Sequence, residues 1–168
     1  MAGTKDKIFS SKIKFNGIFP FSELYKFCYE WLTEEPGLLV RENKYVEKLS
    51  GDSKKIDIEW TGEKEINDYF KFEVKVEFKI VGLKQVETIQ NNAKVKTNEG
   101  EVEIKVGGSL VKDYKGRFET SGIKMFLRAI YEKWVIVSGI HAMENKLNSV
   151  CDEFLSQAKA YLDLEGKK

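Results

Sequence analysis

From Tyr69 to Ile80 the chain alternates without interruption. Phe70, Phe72, Val74, Val76, Phe78 and Ile80 are apolar, and Lys71, Glu73, Lys75, Glu77 and Lys79 between them are charged. Period two sends successive side chains to opposite faces of an extended backbone. The stretch therefore reads as a half-buried antiparallel strand with its even face on a core and its odd face in water. At ~3.3 Å per residue such a strand is about 40 Å long, well beyond the usual length, so it has to twist and bend. Gly62, Gly82 and the Gly107-Gly108 pair are the places where a sheet built on it can do so.

The flanking segments supply its neighbours. Phe9, Ser11, Ile13, Phe15 and Gly17 share one parity against Ser10, Lys12, Lys14 and Asn16, which predicts a first strand. After Pro20 the period becomes helical, with Leu24, Phe27, Cys28, Trp31 and Leu32 on one stripe, Ser22 as the expected cap and Glu35-Pro36-Gly37 as the stop. Leu38 to Leu49 reads as a strand, Ser50 to Ser53 as a turn, and Ile56, Ile58 and Trp60 as one face of the next strand. A hairpin is expected at Gly82-Leu83, sending Gln85 to Lys96 back with a bulge near Gln90-Asn91-Asn92. A tight turn is expected at Asn98-Glu99-Gly100, leading into a sixth strand on Val102, Ile104, Val106 and Leu110. From Ser121 to Val137, Ile123, Phe126, Leu127, Ile130, Tyr131, Trp134 and Val135 recur at helical spacing. Ser138-Gly139 reads as a break, and a second helix follows from Leu147 to about Leu164. Residues 1–6 and 165–168 read as frayed ends of a single domain, and the chain has no internal repeat.

Strand, helix, five strands and two helices, in that order, make an α+β domain: a curled antiparallel sheet of about six strands packed on a long C-terminal helix. This order of elements resembles the helix-grip or START-like superfamily, in which a curled sheet grasps a C-terminal helix and a helical insertion follows the first strand. The resemblance lies in topology and in no sequence motif. The chain departs from it in having six expected strands rather than seven, a single helix after the first strand and an extra helix at 121–137. What the resemblance implies is an apolar cavity between sheet and helix, without implying a reaction.

Composition narrows the partners. The 28 basic and 27 acidic side chains nearly cancel and are interspersed, which disfavours nucleic acid. Aromatic residues fall on the buried parity, not among exposed lysines as a stacking surface needs. No N-terminal segment reads as a signal peptide, and the longest uncharged stretch, Trp134 to Met143, is too short to span a bilayer. The expectation is a soluble cytoplasmic protein with no membrane span. Cys28 and Cys151 sit on apolar helical stripes, where thiols are inert and hydrophobic, so no disulfide is expected.

No catalytic, cofactor or metal signature emerges. His141 is the only histidine and no ligand pair lies near it. Gly107-Gly108-Ser109 lacks the spacing and the lysine of a phosphate loop and reads as a strand bend or a close backbone approach. Large apolar residues facing inwards, Trp60, Phe72, Val74, Val76, Tyr131, Trp134 and Phe154, either fill a core or line a pocket. The leading expectation is a non-enzymatic module holding an apolar or amphipathic small molecule between the sheet and the C-terminal helix. The alternative is a protein interaction or assembly component, including a homo-oligomer, using the amphipathic helix 121–137. An enzyme with a carboxylate-based site is third.

Overall fold

The alternation that opens the chain's central stretch becomes a burial pattern. In a computed structural model, which describes residues 4–67, 69–112, 122–130 and 137–167, Phe70, Phe72, Val74, Val76, Phe78 and Ile80 are all buried while Lys75 and Lys79 are exposed. They belong to a five-stranded antiparallel sheet made of β1 (Thr4–Ile18), β2 (Leu39–Ser50), β3 (Ser53–Glu65), β4 (Phe70–Gln90) and β5 (Ala93–Lys112). The order across the sheet is β1-β5-β4-β3-β2. The last four strands form a meander, and the first strand adds to the last. The sheet is open and uncurled, with β1 and β2 as two edges that do not bond to each other. The curled sheet expected from the sequence is corrected accordingly.

Among the described residues the sheet has five strands where six are expected, because the chain reverses elsewhere than expected. Asn91 and Asn92, with φ of 51° and 63°, occupy the left-handed region in succession and turn the chain between Gln90 and Ala93. Two consecutive left-handed residues are what a two-residue hairpin turn requires. Gly82, at φ 65°, is a single left-handed residue and makes a bulge between Val81 and Lys84. The bulge lets both Ile80 and Leu83 face the core. Asn98-Glu99-Gly100 is no turn but lies within β5, where Gly100 passes so close to Leu83 that an added Cβ would sit 3.1 Å from its Cα. Beyond the bulge, Lys84 to Gln90 pair only with Ala93 to Glu99, so β4 and β5 run on past their neighbours as a two-stranded arm.

The first and third helices pack on the inner face of the sheet. α1 (Phe21–Glu34) follows β1 and buries Leu24, Cys28 and Leu32. Its cap position is Pro20 rather than Ser22, and the Phe21 N–H donates instead to Asn98 Oδ1 at 3.1 Å. α2 (Gly122–Ile130) occupies part of the stretch expected to be helical from 121 to 137; residues 121 and 131–136 lie outside the described residues. α3 (Val137–Gly166) starts before the expected break at Ser138-Gly139, which lies in its first turn. His141 is exposed on α3. Leu147, Cys151, Phe154, Ala158 and Leu162 recur at helical spacing on α3 and are buried. Phe27 of α1 stacks on Tyr161 of α3 with centroids 4.7 Å apart. Each large side chain buried here contributes about 1.5–3 kcal/mol.

Candidate functional site

The residues expected as a pocket lining go to one packed layer. Trp60, Phe72, Val74, Val76 and Phe154 are no more than 2% exposed and belong to a single hydrophobic cluster. Trp60 touches Phe78 at 4.8 Å and Tyr25 at 5.1 Å between centroids, and Phe154 meets Trp31 at 5.7 Å. The indole N–H of Trp60 is buried without a well-formed hydrogen bond; it leans towards the Tyr25 hydroxyl, a smaller influence there than the burial and the Glu42 hydrogen bond that raise that group. Tyr131 and Trp134 lie outside the described residues. Five depressions formed by the described residues are lined by none of Trp60, Phe72, Val74, Val76 and Phe154.

Three of these depressions lie on the outer face, two of them adjoining over β1, β5 and β4, and the glycine pair of β5 explains one of that pair. Gly108 faces inwards, where a Cβ would sit 2.8 Å from Cys151 Sγ, so its missing side chain lets α3 approach the sheet. Gly107 faces outwards and leaves a gap in the row of side chains on the solvent face. The Lys7 side chain lies across it, with Cε 3.5 Å from where a Cβ would be. The resulting hollow, about 280 Å³, is lined by Lys5, Lys7, Lys75, Glu77, Lys105, Gly107 and Ser109.

Strand pairing brings these residues together from three elements. Lys75 is paired with Gly107 and Glu77 with Lys105 across β4 and β5, and Lys7 is paired with Ser109 across β1 and β5. Lys5 is engaged by Glu73 in an ion pair. Lys7, Lys75 and Lys105 make no ion pair among the described residues, so three ammonium groups face the single carboxylate of Glu77. A second depression of about 400 Å³ adjoins the first, sharing Glu77 and Lys105 and adding Lys12, Lys79 and Glu103. There the balance is more even, because Glu103 is held by Lys12 at 3.5 Å and Lys14 at 3.8 Å.

Other reactive groups are quiet. Burial raises the Cys28 thiol and pushes Cys151 up to about 12, so both stay protonated and non-nucleophilic at neutral pH. Both are free thiols. Among the described residues no three His, Cys, Asp or Glu side chains converge as a metal-ligand set. No described helix is long and apolar enough to cross a membrane. On α2, Phe126 is 65% exposed, and Leu127 and Ile130 are exposed beside it.

The hollow is the feature that reading the sequence missed. A signal for it exists: the parity that buries Val106 and Leu110 puts Gly107 outwards, a glycine on a lysine-rich face. What the sequence lacks is the register that lays Lys7 and Lys75 alongside that glycine. No protein-family model matches the chain, and no curated protein or solved structure is significantly similar to it.

Proposed function

We propose that this protein is a non-enzymatic binding module whose contact surface is the open face of the sheet, with an anionic ligand seated in the hollow over Gly107. The observation that carries this is the convergence of Lys7, Lys75 and Lys105, from three adjacent strands, on a glycine floor with one opposing carboxylate. Like charges held together without partners repel one another, and a bound anion relieves that repulsion. Retention on phosphocellulose tests it. Replacing Lys7, Lys75 and Lys105 together by Gln should lower the eluting salt concentration clearly more than the same replacement of Lys48, Lys55 and Lys94, which are exposed elsewhere. Equal shifts for the two triple variants would sink the reading.

The sequence-based expectation of a ligand enclosed between sheet and helix draws support from connectivity: β1 closes on β5, a meander follows the helix after β1, and α3 lies on the sheet, as in helix-grip proteins. It requires the core layer around Trp60 and Phe154 to part. The assembly reading draws on α2, whose exposed Phe126, Leu127 and Ile130 offer an apolar surface to a second copy of the chain. Sedimentation equilibrium distinguishes it: the wild type should self-associate and Phe126→Glu should not. A wild type that stays monomeric at high concentration rules out the homo-oligomer.

A further inference from the structure

We infer that the hollow over Gly107 selects a dianionic phosphate group, the terminal phosphate of a monoester, over monoanionic oxyanions such as carboxylates and phosphodiesters. The inference rests on the anion-binding reading above and adds the class of ligand. With Lys5 engaged by Glu73, the lining contributes three positive charges from Lys7, Lys75 and Lys105 against one negative charge from Glu77. A phosphomonoester carries about −1.5 to −2 at pH 7 and matches that balance, whereas a diester or carboxylate leaves a cation uncompensated.

Geometry agrees with charge. The hollow of about 280 Å³ has room for a phosphate head but is shallow, so the rest of the ligand lies in solvent or along the adjoining depression. That depression is nearly balanced, since Lys12 and Lys14 already hold Glu103. Among the described residues the outer face carries no aromatic side chain near the hollow on which a base could stack; neighbouring outward positions are Ser10 and Lys12 on β1, Glu73 and Lys79 on β4, Glu103 on β5, and Glu59 and Thr61 on β3. None of the charged groups facing the site is a histidine. The ligand's own second ionisation, near pH 6, is then the one that decides binding on the acid side.

The floor of the hollow provides a control that leaves the charges alone. A Cβ at Gly107 would meet Lys7 Cε at 3.5 Å and nothing closer, which is ordinary contact, and its backbone is not in the left-handed region. Gly107→Val should therefore fold, and the larger side chain occupies the space where the phosphate sits.

The test is an NMR titration of backbone amides with methyl phosphate, dimethyl phosphate and sulfate at pH 7.5 and pH 5. Methyl phosphate should shift amides around Gly107 and bind roughly tenfold more weakly at pH 5, where most of it is monoanionic. Sulfate, a dianion at both pH values, should bind alike at both, and dimethyl phosphate should bind weakly throughout. Gly107→Val should lose the methyl phosphate response with its fold unchanged. Equal binding of methyl and dimethyl phosphate, or an undiminished response in Gly107→Val, overturns the dianion inference and leaves a diffuse anion-binding face. A loss of sulfate binding at pH 5 also overturns it, because the protein would then be what titrates. If no probe binds at either pH, the anion-binding reading falls with it.

Discussion

At the scale of single residues, the two faces of the sheet obey opposite rules at adjacent positions. Val74 is buried among apolar neighbours and Lys75 is in water. Val74→Asp should cost at least about 3 kcal/mol, since it strands a charge in the core. Lys75→Asp should cost about 0.5 kcal/mol. Urea denaturation of both variants checks the assignment, and comparable midpoints would refute it. The glycine pair makes the same point without charge. Gly108→Ala pushes a methyl group against Cys151 Sγ and should cost about 1–3 kcal/mol. Adding Cys151→Ala should return much of that loss, a favourable coupling of about 1 kcal/mol in a double-mutant cycle. Gly107→Ala, one residue away, should be close to neutral.

At the scale of elements, what the sequence made legible was which side of each strand is buried; what it left ambiguous was where strands end. The parity of Phe70 to Ile80, of Ile56 to Trp60 and of Val102 to Leu110 translates directly into the core. Reversal points are harder, because Gly82 and the Asn91-Asn92 pair send the same local signal, a residue able to adopt positive φ. One such residue bulges a strand and two in succession turn it round, and a glycine advertises the conformation more loudly than two asparagines do. Asn92→Gly should therefore stabilise the hairpin by a few tenths to about 1 kcal/mol, and Asn92→Val should destabilise it by ~1–2 kcal/mol. Thermal melts of the pair check the turn, and a Val variant as stable as the wild type would contradict it. The hollow was illegible for a related reason: its lysines come from β1, β4 and β5, and only register brings them together.

At the scale of the whole molecule, several groups share one titration direction. Burial, then a hydrogen bond from its hydroxyl to Glu42, raises Tyr25 from 10.0 to about 12, and burial raises Cys151 from 9.0 to about 12. Cys28 and Tyr161 move the same way, again chiefly through burial. Each is neutral when protonated and holds its proton more tightly in the fold than in the unfolded chain. Their stabilisation is complete below about pH 9 and is lost as the pH rises towards 12. The melting temperature should hold level up to about pH 9 and fall steadily above it; a profile that stays flat to pH 11 would count against this packing. The place of β1 at the edge beside β5 has a consequence for how the chain is made. Of the five strands β1 is made before the others, yet its partner is β5, with Thr4 set opposite Lys112 at the far end of that strand. Until β5 emerges, β1 lacks the strand it pairs with in the sheet, and such delayed long-range pairing is slow and exposes a sticky edge. Of the five strands, the earliest in the chain is the one whose pairing waits longest, and lysines at 5, 7, 12 and 14 are the kind of side chain that discourages wrong edge-to-edge pairing during that wait.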